Sequence, residues 1–194
     1  MNKIYVGPSI SIIIMLLIYG CSSNAYKRMS LENPEKLLSI QDSLLTIRKN
    51  DDSILEALVV AHNRVAQKQI KQDDYVSAIS HYKNATKLNT ADTVSRYGLL
   101  LAEGHELLKK GNKNGIWDGI EKYSKASTLY PQNGEPLYWI AIAYTKLGDK
   151  DFDLIIESYE KALSLELDRE LRVEAGKKYK HAKKRKKNLD SFWR

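Results

Sequence analysis

Asp74-Tyr75-Val76-Ser77-Ala78-Ile79-Ser80-His81-Tyr82-Lys83-Asn84-Ala85 returns as Gly115-Ile116-Trp117-Asp118-Gly119-Ile120-Glu121-Lys122-Tyr123-Ser124-Lys125-Ala126, and again as Asp151-Phe152-Asp153-Leu154-Ile155-Ile156-Glu157-Ser158-Tyr159-Glu160-Lys161-Ala162. Tyr82, Tyr123 and Tyr159 align at intervals of 41 and 36 residues, each followed three positions later by Ala85, Ala126 or Ala162. Self-similarity at such a period marks a stack of supersecondary units, none of which can bury its apolar face alone. The small residues have a physical reason. Two helices of a short hairpin approach closely only where a small side chain meets a bulky one, so small residues recur at fixed places. No stretch alternates apolar and polar residues long enough to argue for a strand, and the chain reads as all-α.

These units resemble tetratricopeptide repeats, in which each unit is a helix–turn–helix. Ala66 and Ala141 match the small position of that family's first helix, Ala78 and Gly119 the first small position of its second, and Ala85, Ala126 and Ala162 the next. Tyr144 matches an aromatic of the first helix and Pro131 the proline that ends a repeat. Ile155 departs from the expected alanine, and the second unit carries about seven extra residues around its entry and the Gly111–Gly115 turn, so that either Ala102 or Gly104 is its small residue. The resemblance implies a solenoid of antiparallel helix pairs over 59–169, with a concave face lined by the first helix of each unit. Carried over by position, that face holds Asn63, Gln67 and Ile70, then His105 and Leu108, then Tyr138, Ile142 and Thr145. The set lacks a lysine–asparagine clamp for a terminal carboxylate, so a mixed polar and apolar peptide is the expected ligand.

Upstream, Ile10 to Tyr19 is an apolar run broken only by Ser11, preceded by Lys3. It is too short to span a bilayer core, which takes about 20 residues, and has the form of a secretory signal over 1–20. Ile18-Tyr19-Gly20-Cys21 resembles the lipobox of bacterial lipoproteins, with Tyr19 bulkier than the pattern. That resemblance implies cleavage before Cys21 and acylation of its sulfur; an uncleaved signal anchor is the alternative. Ser22, rather than Asp, resembles lipoproteins sorted to the outer membrane. Residues 21–33 read as a lipidated tether without period. Asn33-Pro34 reads as the start of an N-terminal helical segment over 34–58, interrupted at Asn50-Asp51-Asp52, with Ser53 and Glu56 spaced as a capping box.

Downstream, charge separates. Cys21 to Asp168 carries 19 Lys and Arg against 21 Asp and Glu, whereas Arg169 to Arg194 carries 11 against 3. The net charge of +7 therefore belongs to the tail, 170–194. Leu171, Ala175, Tyr179 and Ala182 lie at helical spacing and predict a capping helix on the last repeat. Lys177, Lys178, Lys180, Lys183, Lys184, Arg185, Lys186 and Lys187 form a basic surface that solvates the open end or meets anionic headgroups.

Several chemistries find no support. One cysteine excludes an internal disulfide or a multi-thiolate zinc site. His62, His81, His105 and His181 have no second His or Cys at i+3 or i+4, so no metal and no cofactor is expected. Ser158-Tyr159-Glu160-Lys161 matches a serine-x-x-lysine string but sits inside a repeat helix without companion motifs. The reading is a non-enzymatic, membrane-anchored adaptor of the bacterial envelope, serving outer-membrane, secretion or pilus assembly. It binds a protein or peptide and no nucleic acid. A structural subunit of an envelope complex is the runner-up, and a cell-wall-acting enzyme the least favoured class.

Overall fold

The computed structural model describes residues 24–48, 51–148 and 151–192. The signal segment and Cys21 lie outside them. Among the described residues the fold is all-α. The helices are α1 (24–32), α2 (Pro34–Ser39), α3 (Gln41–Ile47), α4 (Asp52–Ile70), α5 (Tyr75–Leu88), α6 (Thr93–Lys110), α7 (Lys113–Leu129), α8 (Glu135–Leu147), α9 (Phe152–Ser164) and α10 (Arg169–Phe192). None of them is long and apolar enough to cross a membrane.

Local chemistry sets the boundaries. A helix start leaves backbone N–H groups without partners, and a side-chain oxygen just before it supplies them. Asp51 accepts from the amides of Ser53 and Ile54 at α4, Asp74 from Ser77 at α5, Asp92 from Ser95 at α6 and Asn112 from Gly115 at α7. The cap of α4 is thus Asp51, not Ser53, because the carboxylate already occupies those donors.

Each helix packs on its neighbour in sequence, and contacts recede in step from each turn, which makes the pairs antiparallel. In the α6–α7 pair Lys122 Nζ lies 2.6 Å from Glu103, and one turn nearer the loop a Cβ at Gly119 would stand 3.7 Å from the Leu107 side chain. In the α9–α10 pair Tyr179 donates to Glu160 and Lys186 to Asp153. Alternate helices also touch. Asn63 of α4 bonds Asp92 and Ser95 at the start of α6; His105 of α6 packs edge-on against Trp139 of α8 at 4.5 Å; Tyr138 of α8 shares a core with Ala175 of α10. Helices α4, α6, α8 and α10 therefore form one layer, and α5, α7 and α9 the other.

Tyrosines knit the layers by entering spaces that only glycine leaves. A Cβ at Gly98 would overlap the Tyr82 ring, and one at Gly104 the ring of Tyr123. Tyr123 and Tyr159 are buried to 0% and 1% exposure, so neither can be displaced cheaply. Ala102, by contrast, joins Ala66, Ala78 and Tyr82 in the preceding cluster. Gly104 is therefore the small residue that meets the tyrosine of its own hairpin.

Two regions differ from expectation. Residues 24–32, read as tether, are helical: Tyr26 and Met29 pack against the core of Leu37, Ile54 and Leu58, and Ser30 is fully buried with its hydroxyl donating to the Lys27 carbonyl. The helix expected from Pro34 to about Arg48 breaks at Ile40 into α2 and α3, which bury Leu37 and Leu44 respectively.

Candidate docking clefts

Two adjoining clefts open between the helices of the α4, α6, α8 layer. The first, about 370 Å³, lies between α4 and α6 and ends at the start of α8. Its buried floor is Tyr82, Gly98, Leu101 and His105; Gln67, Lys71 and Val94 are its exposed margin, and Ile70, Tyr97 and Glu135 stand between. The second, about 330 Å³, lies between α6 and α8 and takes in His105, Leu108, Trp139 and Ile142, with Asp73, Tyr75, Lys109 and Lys146 around them. His105 is common to both.

The eight residues carried over from the repeat pattern distribute unevenly. Gln67, Ile70 and His105 line the first cleft; His105, Leu108 and Ile142 line the second. Asn63 is buried and spent on α4–α6 packing, where it accepts from Ser95 and donates to Asp92. Tyr138 is 2% exposed and belongs to the core beneath α10. Thr145 is exposed and donates to the Ala141 carbonyl. With Gly104 fixing the register, Leu101 takes the place in α6 that Asn63 and Tyr138 hold in α4 and α8.

Electrostatics grade the clefts along the helices. Burial pushes the Glu135 carboxyl above the ordinary carboxylate range, against the pull of donors on Trp139 and Tyr97. The Tyr97 hydroxyl lies 3.3 Å from its Oε2 and accepts in turn from Asn133 at 2.9 Å. Burial, then the Glu135 charge, raises the Tyr82 phenol to about 12. His105 is held neutral, its imidazolium lowered to about 4 by burial, with Nδ1 2.9 Å from the Tyr123 hydroxyl. At the other end, Lys109 donates to the Asp73 carbonyl and lies over the Tyr75 ring at 5.3 Å, while Lys146 donates to the Leu108 carbonyl. Cations at the last turns of α6 and α8 suit the negative end of each helix.

A second cluster lies at the outer edge of α4. His62 Nδ1 and His81 Nδ1 are 2.9 Å apart, and His62 Nε2 is 2.8 Å from Gln41 Oε1. Burial lowers both imidazoles, His62 to about 4. Since Gln41 Oε1 only accepts, His62 carries its proton on Nε2 and receives one from His81. Among the described residues no three His, Cys, Asp or Glu side chains converge as a metal site would need.

The basic helix has its own geometry. Lys178 pairs with Glu174, Lys186 with Asp153, and Lys183 bonds the Tyr179 hydroxyl, while Arg185 lies over the Phe152 ring at 5.6 Å. Lys177, Lys180, Lys184 and Lys187 share one exposed stripe and pair with no described carboxylate.

No family model and no curated protein matches this chain. The repeat likeness therefore stands on the chain's own residues.

Proposed function

We propose that the chain is a lipid-anchored adaptor of the bacterial cell envelope, a tetratricopeptide-like solenoid whose α4, α6, α8 layer docks a protein or peptide partner. One observation carries the reading: two clefts on one face of three neighbouring helices meet at His105, giving a continuous trough of mixed polarity. Its apolar and aromatic centre supplies contact area, and its polar ends fix orientation, the usual composition of a recognition site. The burial of Tyr82, Tyr123 and Tyr159, each 4% exposed or less, beside fully buried Ala85, Ala126 and Ala162 supports the repeat assignment.

Anchoring rests on Ile18-Tyr19-Gly20-Cys21, with acylated Cys21 holding the chain at the outer membrane, facing the periplasm. Two or more acyl chains suffice for that, at about 0.8 kcal/mol per buried methylene. The unpaired stripe Lys177, Lys180, Lys184 and Lys187 adds attraction to an anionic bilayer surface, about 1 kcal/mol per residue near the headgroups.

Site-specific photocrosslinking in living cells tests the docking role. A photoreactive residue at Gln67 or Lys146 should give discrete protein adducts, and one at Val76, exposed on the other layer, should give none. Adducts from Val76 alone would refute it.

A further inference from the structure

Among the described residues, Glu135 is the one carboxylate lining the α4–α6 cleft, and no cation pairs with it. A carboxylate can accept about four hydrogen bonds. Glu135 has the Tyr97 hydroxyl at a long 3.3 Å, and the Trp139 indole beside it is buried with its N–H bonded to no described group. Several glutamates on helix surfaces are met by lysines: Glu103 by Lys122, Glu121 by Lys125, Glu157 by Lys161, Glu35 by Lys68. Glu135, more enclosed than Glu35 and Glu121, has none among the described residues.

Its position is fixed by the fold. The α7–α8 loop is clasped to the α9–α10 loop by Gly134 N–H donating to the Glu166 carbonyl at 2.7 Å and Glu166 N–H donating to the Gln132 carbonyl at 2.8 Å. The Asn133 side chain then accepts from the Glu135 amide and donates to Tyr97. The carboxylate thus stands partway up the cleft, with Tyr97 at its own level and Tyr82 in the floor below. A partly desolvated carboxylate flanked by aromatic rings suits a cation, which gains from charge pairing and from the rings. Lys71, the one cationic residue among the described ones lining the cleft, caps the C-terminal end of α4, while Glu135 stands level with Tyr97 in the first turns of α6 and α8. The two charges sit at opposite ends and leave the Glu135 end to the ligand.

We propose that this cleft is a subsite for a cationic side chain, lysine or arginine, of an extended peptide segment in the docked partner, with Glu135 as its counter-ion and Tyr97 and Tyr82 as its walls. The subsite rests on the docking role proposed above and names the residue class that the trough selects.

The chain has three tryptophans, so labelling tryptophan with nitrogen-15 gives three indole N–H signals, and Trp139 reports on Glu135. The full chain in zwitterionic detergent is titrated with the capped tripeptides acetyl-Leu-Lys-Leu-amide and acetyl-Leu-Arg-Leu-amide. The norleucine peptide, which keeps lysine's four-carbon chain without the ammonium, is the comparison. The proposal expects a saturable Trp139 shift with the lysine or arginine peptide, at least tenfold weaker with norleucine. Glu135→Gln should abolish the difference, and Lys71→Gln should preserve or increase it. Equal binding of charged and norleucine peptides to the unaltered chain would overturn the cationic subsite and leave a peptide trough standing. No Trp139 shift with any peptide would overturn the subsite, while the photocrosslinks from Gln67 and Lys146 would still decide the docking role.

Discussion

Helices α6 and α10 occupy the same layer and are nearly opposite in construction. α6 buries Ser95, Gly98, Leu101, Ala102, Gly104, His105 and Leu108, touching hairpins on both sides. α10, longer at 24 residues, buries only Ala175 and Ala182. Its margin is held by ionic and hydroxyl contacts to α9. An interior helix of a stack is committed on most of its circumference. A terminal one is committed along a seam, and its remaining surface is free to carry charge. The stripe of Lys177, Lys180, Lys184 and Lys187 places like charges at i,i+3 and i,i+4, a cost to the helix that an external anionic surface would repay.

That contrast can be broken in several ways. The largest effect is on pH. His105 is neutral when folded, with its pKa lowered to about 4 from 6.5. Above 6.5 neither folded nor unfolded chain is protonated there, and the stability is intact. As pH falls, the unfolded chain takes up the proton first, so stability declines by about 1.4 kcal/mol per pH unit until about pH 4, where the loss levels off near 3 kcal/mol. His62 acts in the same sense. Urea titrations between pH 7 and 4 should show the two contributions added, and His105→Gln should reduce the slope by about 1.4 kcal/mol per pH unit.

The next effect is a reversal of sign. Gly104→Ala forces a methyl into the buried ring of Tyr123 and should cost about 2 kcal/mol. Gly176→Ala, on α10, meets nothing within 4 Å and should gain about 0.7 kcal/mol from helix propensity. Thermal unfolding of the two variants checks both, and a stabilised Gly104→Ala would remove the glycine–tyrosine account. The smallest effect on stability comes from changing Lys177, Lys180, Lys184 and Lys187 together to Gln, within about 0.5 kcal/mol. Co-sedimentation with phosphatidylglycerol vesicles at low salt should nevertheless fall severalfold against the Cys21→Ser parent; unchanged binding would remove the headgroup role.

The helices and their packing in adjacent pairs were legible because alanine, glycine and tyrosine recur where close helix contact requires them. The choice between Ala102 and Gly104 was not, since both are small and only the position of Tyr123 separates them. α1 was hidden because its fully buried residue, Ser30, satisfies its hydroxyl locally and carries no apolar signal. The His62–His81 contact crosses a hairpin, beyond any i+3 or i+4 search. Glu135 reads in sequence as an ordinary first-turn acid, and its meaning comes from Tyr97, brought to it from the preceding hairpin. Asn63 and Tyr138 were placed on the groove by position, but contacts to Asp92 and Ser95, and to the core under α10, draw them inward.

The central claim is that partner docking belongs to the α4, α6, α8 trough and not to α10. Affinity purification from detergent-solubilised envelopes, with Ile70→Glu/Ile142→Glu beside the four-lysine variant, measures it directly; both isoleucines are half-buried and line the clefts. Loss of a reproducible partner from the isoleucine variant, with full recovery by the lysine variant, is the predicted result. The opposite pattern, a partner kept by the isoleucine variant and lost with the lysines, would contradict the account.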